Sequence, residues 1–173
     1  MHESDIALSR FNEMSREEAI EQMRRCCGAT AWCEAVVNHR PYGDRDALHH
    51  QADIAFAAFD NADWLEAFSH HPKIGDIQSL KMKFAGNREW SGDEQAGTAH
   101  AEDEVIARLA EGNVAYEAKF GFIFIVCATG KTAREMLSIL ESRLPSDRDA
   151  EISNAAIEQK KITHLRIDKW SID

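Results

Sequence analysis

Phe120-Gly121-Phe122-Ile123-Phe124-Ile125-Val126-Cys127 is the one stretch of this 173-residue chain that reads as β, and its fate decides the fold. A single strand has no partner to complete its backbone hydrogen bonds. The run is therefore expected as a buried extended segment whose N–H and C=O groups bond elsewhere, a bound substrate being one such partner. The segments on either side carry helical periodicity, which makes the expected class all-α.

Downstream, Ala133, Met136, Leu137, Leu140 and Leu144 form one stripe and predict a helix over Lys131–Leu144, with Thr129 as N-cap and Gly130 easing the turn. A long final helix follows from Ser146 to about Trp170. Upstream, Val105, Ile106, Leu109 and Tyr116 predict a helix over Ala101–Lys119, with Gly112 as its weak point. Ser91 and Glu94 have capping-box spacing and open a short helix, and Lys73 to Trp90 reads as an ordered loop. Before it, Trp64, Leu65 and Phe68 mark a helix capped by Asn61 or Asp63, which Pro72 ends at His71. Asp44 caps a helix with Leu48, Ala52, Ala55 and Phe59 on one face. A short helix spans Thr30 to Val37, and the Ser15/Glu18 capping box starts another that Gly28 stops. No repeat or linker interrupts the pattern, so residues 1–173 are expected as one compact multi-helix domain, with 1–10 a loose lead-in.

Twenty Lys+Arg against 30 Asp+Glu give a net charge of -10 with no basic block, which argues against nucleic acid as a partner. No apolar run reaches the roughly 18 residues of a membrane span, and the first residues lack a secretory pattern. Cys26, Cys27, Cys33 and Cys127 show no CxxC spacing and read as reduced, core-type thiols. A cytoplasmic location is the expectation.

The turn at Gly130-Lys131-Thr132 imitates a nucleotide-binding P-loop, but Ile125 stands where the first glycine is needed, which argues against phosphate binding. Eight histidines invite a metal reading. None forms an i, i+4 pair, and the rings of His49-His50 and His70-His71 diverge, so no metal site is expected; His49, His50 and His100 read as solvated polar-face residues. Three residues stand out for chemistry. His71, fixed before Pro72, offers an imidazole that titrates near neutrality, against a plain helix-terminal role. Ser91-x-x-Glu94 offers amides and a carboxylate, against a plain cap. Arg166 leaves the apolar side of the last helix as a fork for a carboxylate or ureido group, against a surface arginine.

Taken together, His71-Pro72-Lys73-Ile74-Gly75, Trp90-Ser91-x-x-Glu94-Gln95, Tyr116-Glu117-x-Lys119-Phe120-Gly121-Phe122 and Lys161-Ile162-x-x-Leu165-Arg166 resemble the OHCU decarboxylase family of urate catabolism. The likeness runs from about Phe11 to Trp170. It implies an all-α enzyme, without cofactor, often a homodimer, that converts 2-oxo-4-hydroxy-4-carboxy-5-ureidoimidazoline (OHCU) to (S)-allantoin and carbon dioxide. By the same likeness His71 is the proton donor and Pro72 touches substrate. Ser91, Gly92, Asp93, Glu94 and Gln95 bind polar groups of the ring and ureido arm. Phe124, Ile125, Val126, Cys127 and Ala128 supply backbone contacts, and Arg166 holds substrate oxygens. Glu94 orients either His71 or the substrate hydroxyl. Ile123 departs from the proline of many relatives, and His164 from a basic or small residue, which bears on loop geometry. Two rival readings remain: a non-catalytic helical binding module, and a hydrolase or isomerase of a related ureido compound.

Overall fold

The computed structural model describes residues 5–72, 77–84 and 94–172, and for residues 83 and 94–101 the backbone alone. Among the described residues the regular structure is entirely helical: α1 (Ile6–Glu13), α2 (Arg16–Arg24), α3 (Thr30–Asn38), α4 (Arg45–Ala57), α5 (Asn61–Ser69), α6 (Ile77–Phe84), α7 (Glu94–Phe120), α8 (Ala133–Arg143) and α9 (Arg148–Lys169). The expected all-α class is what the chain adopts; past a bend at residues 121–122, with Gly121 at φ +81°, residues 123–128 form neither helix nor strand. The chain divides into two compact units, Met1–His71 with Asn154–Asp173, and Pro72–Ser153.

In the first unit the helix starts follow local chemistry. Asp5, Ser15 and Asp44 each accept a hydrogen bond from the backbone three residues on, satisfying N–H groups that the first helical turn leaves without a partner. α5 is capped by Asp60, with Asp63 completing a reciprocal box, rather than by Asn61 or Asp63 itself. Residues 6–10, expected to be loose, belong to α1, whose Leu8 and Phe11 are buried. These join Met23, Trp32, Val36, Leu48, Phe56 and Ile167 in one apolar core. Cys26, Cys27 and Cys33 are buried there as free thiols, in keeping with their sequence reading.

In the second unit, the stretch expected as a loop between Lys73 and Trp90 contains α6, and its Leu80 and Phe84 are buried. α7 is one helix of 27 residues rather than two. Gly112 is no weak point: a Cβ there would meet Leu140 Cδ2 at 2.3 Å, so the glycine lets α8 approach α7. Thr132, not Thr129, caps α8, and Gly130 turns the chain at φ +76°. The extended segment is held by a buried polar cluster. Arg143 donates to the Ile125 carbonyl (2.7 Å) and to Glu151 (2.7 Å), and Tyr116 donates to the same Glu151 oxygen (2.6 Å). The protein itself thus supplies a partner expected from elsewhere.

Candidate acid–base site

α5 ends at Ser69, and the His71 N–H still bonds the Phe68 carbonyl, so the ring of His71 leaves from the last turn before Pro72. Two contacts fix that end within its unit. Glu66 accepts from the N–H of Thr30 at the start of α3 and so serves as that helix's cap. Gly28 lies directly under His70, where a Cβ would stand 2.2 Å from His70 Cγ.

The imidazole is half-buried, and its Nε2 lies 2.5 Å from Gln159 Oε1. Gln159 Nε2 donates to Thr163 Oγ1 at 3.0 Å, and Thr163 donates to the Cys26 carbonyl at 3.2 Å. Gln159 and Thr163 are fully buried. Arg166 points at the same carbonyl, at 3.5 Å. Gln159, Thr163 and Arg166 stand at i, i+4 and i+7 on α9 and form one polar stripe on an otherwise apolar side. Burial is the largest influence on His71 and pushes its pKa below the ordinary 6.5. The Gln159 hydrogen bond opposes this, and the positive fields of Arg166 and His70 add to it. His71 is therefore a neutral imidazole at neutral pH.

The structure brings together His71 and Arg166 of the expected residues, through Gln159, Thr163 and the Cys26 carbonyl. Pro72 is exposed beside His71. Ser91, Gly92 and Asp93 lie outside the described residues; Glu94 and Gln95 begin α7, and only their backbone is described. Ile125 and Cys127 are buried, while Phe124, Val126 and Ala128 are half-buried along the extended segment. Gln159 and Thr163 are not among the residues the sequence singles out. Their signal in the sequence is slight: two polar residues, seven and three positions before Arg166, on the face that should be apolar.

His49, expected as a solvated polar-face residue, is instead half-buried against His164. Their Nδ1 atoms lie 2.7 Å apart, while His49 Nε2 meets Asp168 and His164 Nε2 meets Asp53, each at 2.7 Å. Among the described residues no group of three or more potential ligands could hold a metal ion.

These features define a helical protein that presents a neutral, half-buried acid–base imidazole backed by a buried amide and hydroxyl. The chain belongs to the OHCU decarboxylase family, whose model matches residues 12–168. It is 36% identical over 160 residues to the uric acid degradation bifunctional protein TTL of Arabidopsis thaliana, covering 92% of this chain and 49% of that protein. It is 26% identical over 164 residues to the 2-oxo-4-hydroxy-4-carboxy-5-ureidoimidazoline decarboxylase of Xenopus laevis, covering 92% and 91%. Among solved structures it resembles an OHCU decarboxylase crystallised in the presence of (S)-allantoin, with TM-score 0.67 and 35% identity over 90% of this chain and 97% of that one. The chain spans about half the length of the Arabidopsis relative, and 32% of a Bacillus sp. (strain TB-90) bifunctional protein to which it is 29% identical.

Proposed function

We propose that this chain decarboxylates OHCU to (S)-allantoin in urate degradation. The observation that carries the reading is the 35% identity, across 90% of the chain, to a decarboxylase solved with (S)-allantoin. The reaction consumes one proton, converts a carboxylate to carbon dioxide and a C–H bond, and requires no electron acceptor. As the C4–carboxylate bond breaks, its electron pair flows into the adjacent ring C=N, giving an enol at C4 and a negative nitrogen. The enol O–H proton leaves as C4 becomes a carbonyl, the neighbouring carbon is protonated on one face, and the nitrogen takes a proton.

In this reading His71 is the proton carrier. A neutral imidazole accepts the hydroxyl proton and returns it to carbon on one face, which sets the S configuration; its depressed pKa suits accepting before donating. Arg166 steadies the carboxylate and the developing negative charge. Glu94 and Gln95, with Ser91, Gly92 and Asp93, bind the ring and ureido groups, Pro72 bounds the substrate, and the backbone from Phe124 to Ala128 contributes contacts. The chain works as a homodimer in the cytoplasm. Its free, buried thiols suit a reducing compartment, and no described helix is long and apolar enough to cross a membrane.

The test is circular dichroism of OHCU generated in situ from urate. Wild-type protein should bring up the (S)-allantoin signal rapidly, and His71→Ala should be slower by about a hundredfold or more. Slow, racemic decay unchanged by the wild-type protein would refute the assignment.

A further inference from the structure

We infer that Gln159 is a positioning residue for the reaction proposed above: it holds the ring proton of His71 on Nε2, so that Nδ1 is the nitrogen that exchanges a proton with substrate.

The direction of the hydrogen-bonded chain is set at its far end. The Cys26 carbonyl can only accept. Thr163, 3.2 Å away, therefore spends its one hydroxyl proton there and turns lone pairs toward Gln159. Gln159 meets those lone pairs with its NH₂ group at 3.0 Å, so its carbonyl oxygen faces the other way, toward His71 Nε2 at 2.5 Å. An amide oxygen also only accepts, and Nε2 must donate. Turning the amide around would break the sequence at both ends. Its NH₂ would force His71 into the Nδ1–H form, and Thr163 would have to give its proton to Gln159 at the expense of the Cys26 carbonyl. Arg166 at 3.5 Å is a poor replacement for that carbonyl. Gln159 and Thr163 are fully buried, so water does not readily substitute for either partner.

Among the described residues, Nδ1 of His71 has no hydrogen-bond partner, and it carries the lone pair of a neutral ring. Among the described residues, the charged or titratable neighbours that act on the ring are Arg166 from α9 and His70 from the end of α5, and both favour the neutral form. A glutamine suits this position better than a carboxylate. It fixes the tautomer, as an acidic partner would, but adds no charge that would convert the ring to imidazolium.

The measurement is ¹⁵N NMR of the His71 ring, assigned by comparison with His71→Asn, alongside the pH profile of decarboxylation. Wild-type protein should show a protonated Nε2 and an unprotonated Nδ1 at neutral pH. Gln159→Glu, of nearly the same shape, should raise the His71 titration by about one unit or more and carry the acid limb of the kcat profile with it. Gln159→Leu should lose the single tautomer and lower kcat by about a hundredfold with KM nearly unchanged. Thr163→Val frees the amide to turn and should show mixed tautomers even where Gln159→Leu folds poorly. A wild-type proton on Nδ1, a Gln159→Glu variant whose His71 titrates as in wild type, or a Gln159→Leu variant with wild-type kcat and pH profile overturns the inference. The tautomer measurement uses no substrate. Inactivity of the wild-type protein would remove the decarboxylase reading, while the spectrum would still decide the positioning.

Discussion

Gly28→Ala should damage the protein through a single methyl group. The added Cβ would lie 2.2 Å from Cγ, 2.3 Å from Cβ and 2.7 Å from Cδ2 of His70. Carbon atoms rest at about 3.5–4.0 Å, so the His70 backbone must retreat by roughly 1.2 Å; the Cβ contact does not ease by rotating the side chain. Forced overpacking of this kind costs about 1–3 kcal/mol. Gly28 does not have a left-handed φ, so alanine also reduces the entropy of the unfolded chain, which offsets about 0.4–1 kcal/mol. At the midpoints the net loss is about 1.3 kcal/mol, which should lower Tm by roughly 3–5 °C in a chain of this size. Activity should suffer more than stability, because His71 is the next residue and a shift of about 1 Å at a reacting group can cost about a hundredfold in rate. Thermal unfolding and the decarboxylation assay measure the two effects. Gly28→Ala combined with His70→Gly keeps the new methyl but takes away the His70 atoms it strikes, and should recover most of the lost Tm. A single variant with wild-type Tm and kcat would refute the close approach of α5 to Gly28.

Arg143→Leu should destabilise by about 3–5 kcal/mol in chemical denaturation, because it breaks a buried ion pair with Glu151 and takes the Arg143 donor from the Ile125 carbonyl. His71 makes acid unfolding steeper. Its folded-state pKa lies below 6.5, so the unfolded chain binds the proton more readily; this contribution to stability is complete above about 6.5 and is lost as pH falls through the lower folded value. Between pH 7.5 and 5 the Tm of wild type should therefore fall further than that of His71→Asn, and equal falls would contradict a buried neutral ring. His49→Ala and His164→Ala should be coupled by about 0.5–1 kcal/mol in a double-mutant cycle, since their rings stack at 4.9 Å while sharing an Nδ1 contact. Strict additivity would show the pair to be incidental.

Local chemistry was the legible part of the fold. Ser15 and Asp44 announce their helices because a cap and its N–H partner lie three residues apart, and the residues between them suffice to see it. The helix α6 is harder to read, since Ile77, Leu80 and Phe84 keep helical spacing over only eight residues and Gly75 and Gly86 on either side read as loop. Gly112 misled for a physical reason: glycine lowers helix propensity by itself, and only the distant Leu140 explains its presence. At the site, His71 and Arg166 stand out by residue type. Gln159 does not, because its role depends on a partner 88 residues away and a threonine one turn further along the same helix. An uncharged amide has no chemistry of its own to advertise.

The thiols buried in the core lend the protein an internal timer. Burial pushes Cys26 up to about 11 and Cys27 and Cys33 up to about 12, so at pH 8 almost none of the reactive thiolate exists in the folded first unit. An alkylating reagent would have to wait for those residues to open, and its rate of uptake would count the openings. Cys127 belongs to the other unit, so peptide-resolved labelling would record separately how often each half of the chain breathes.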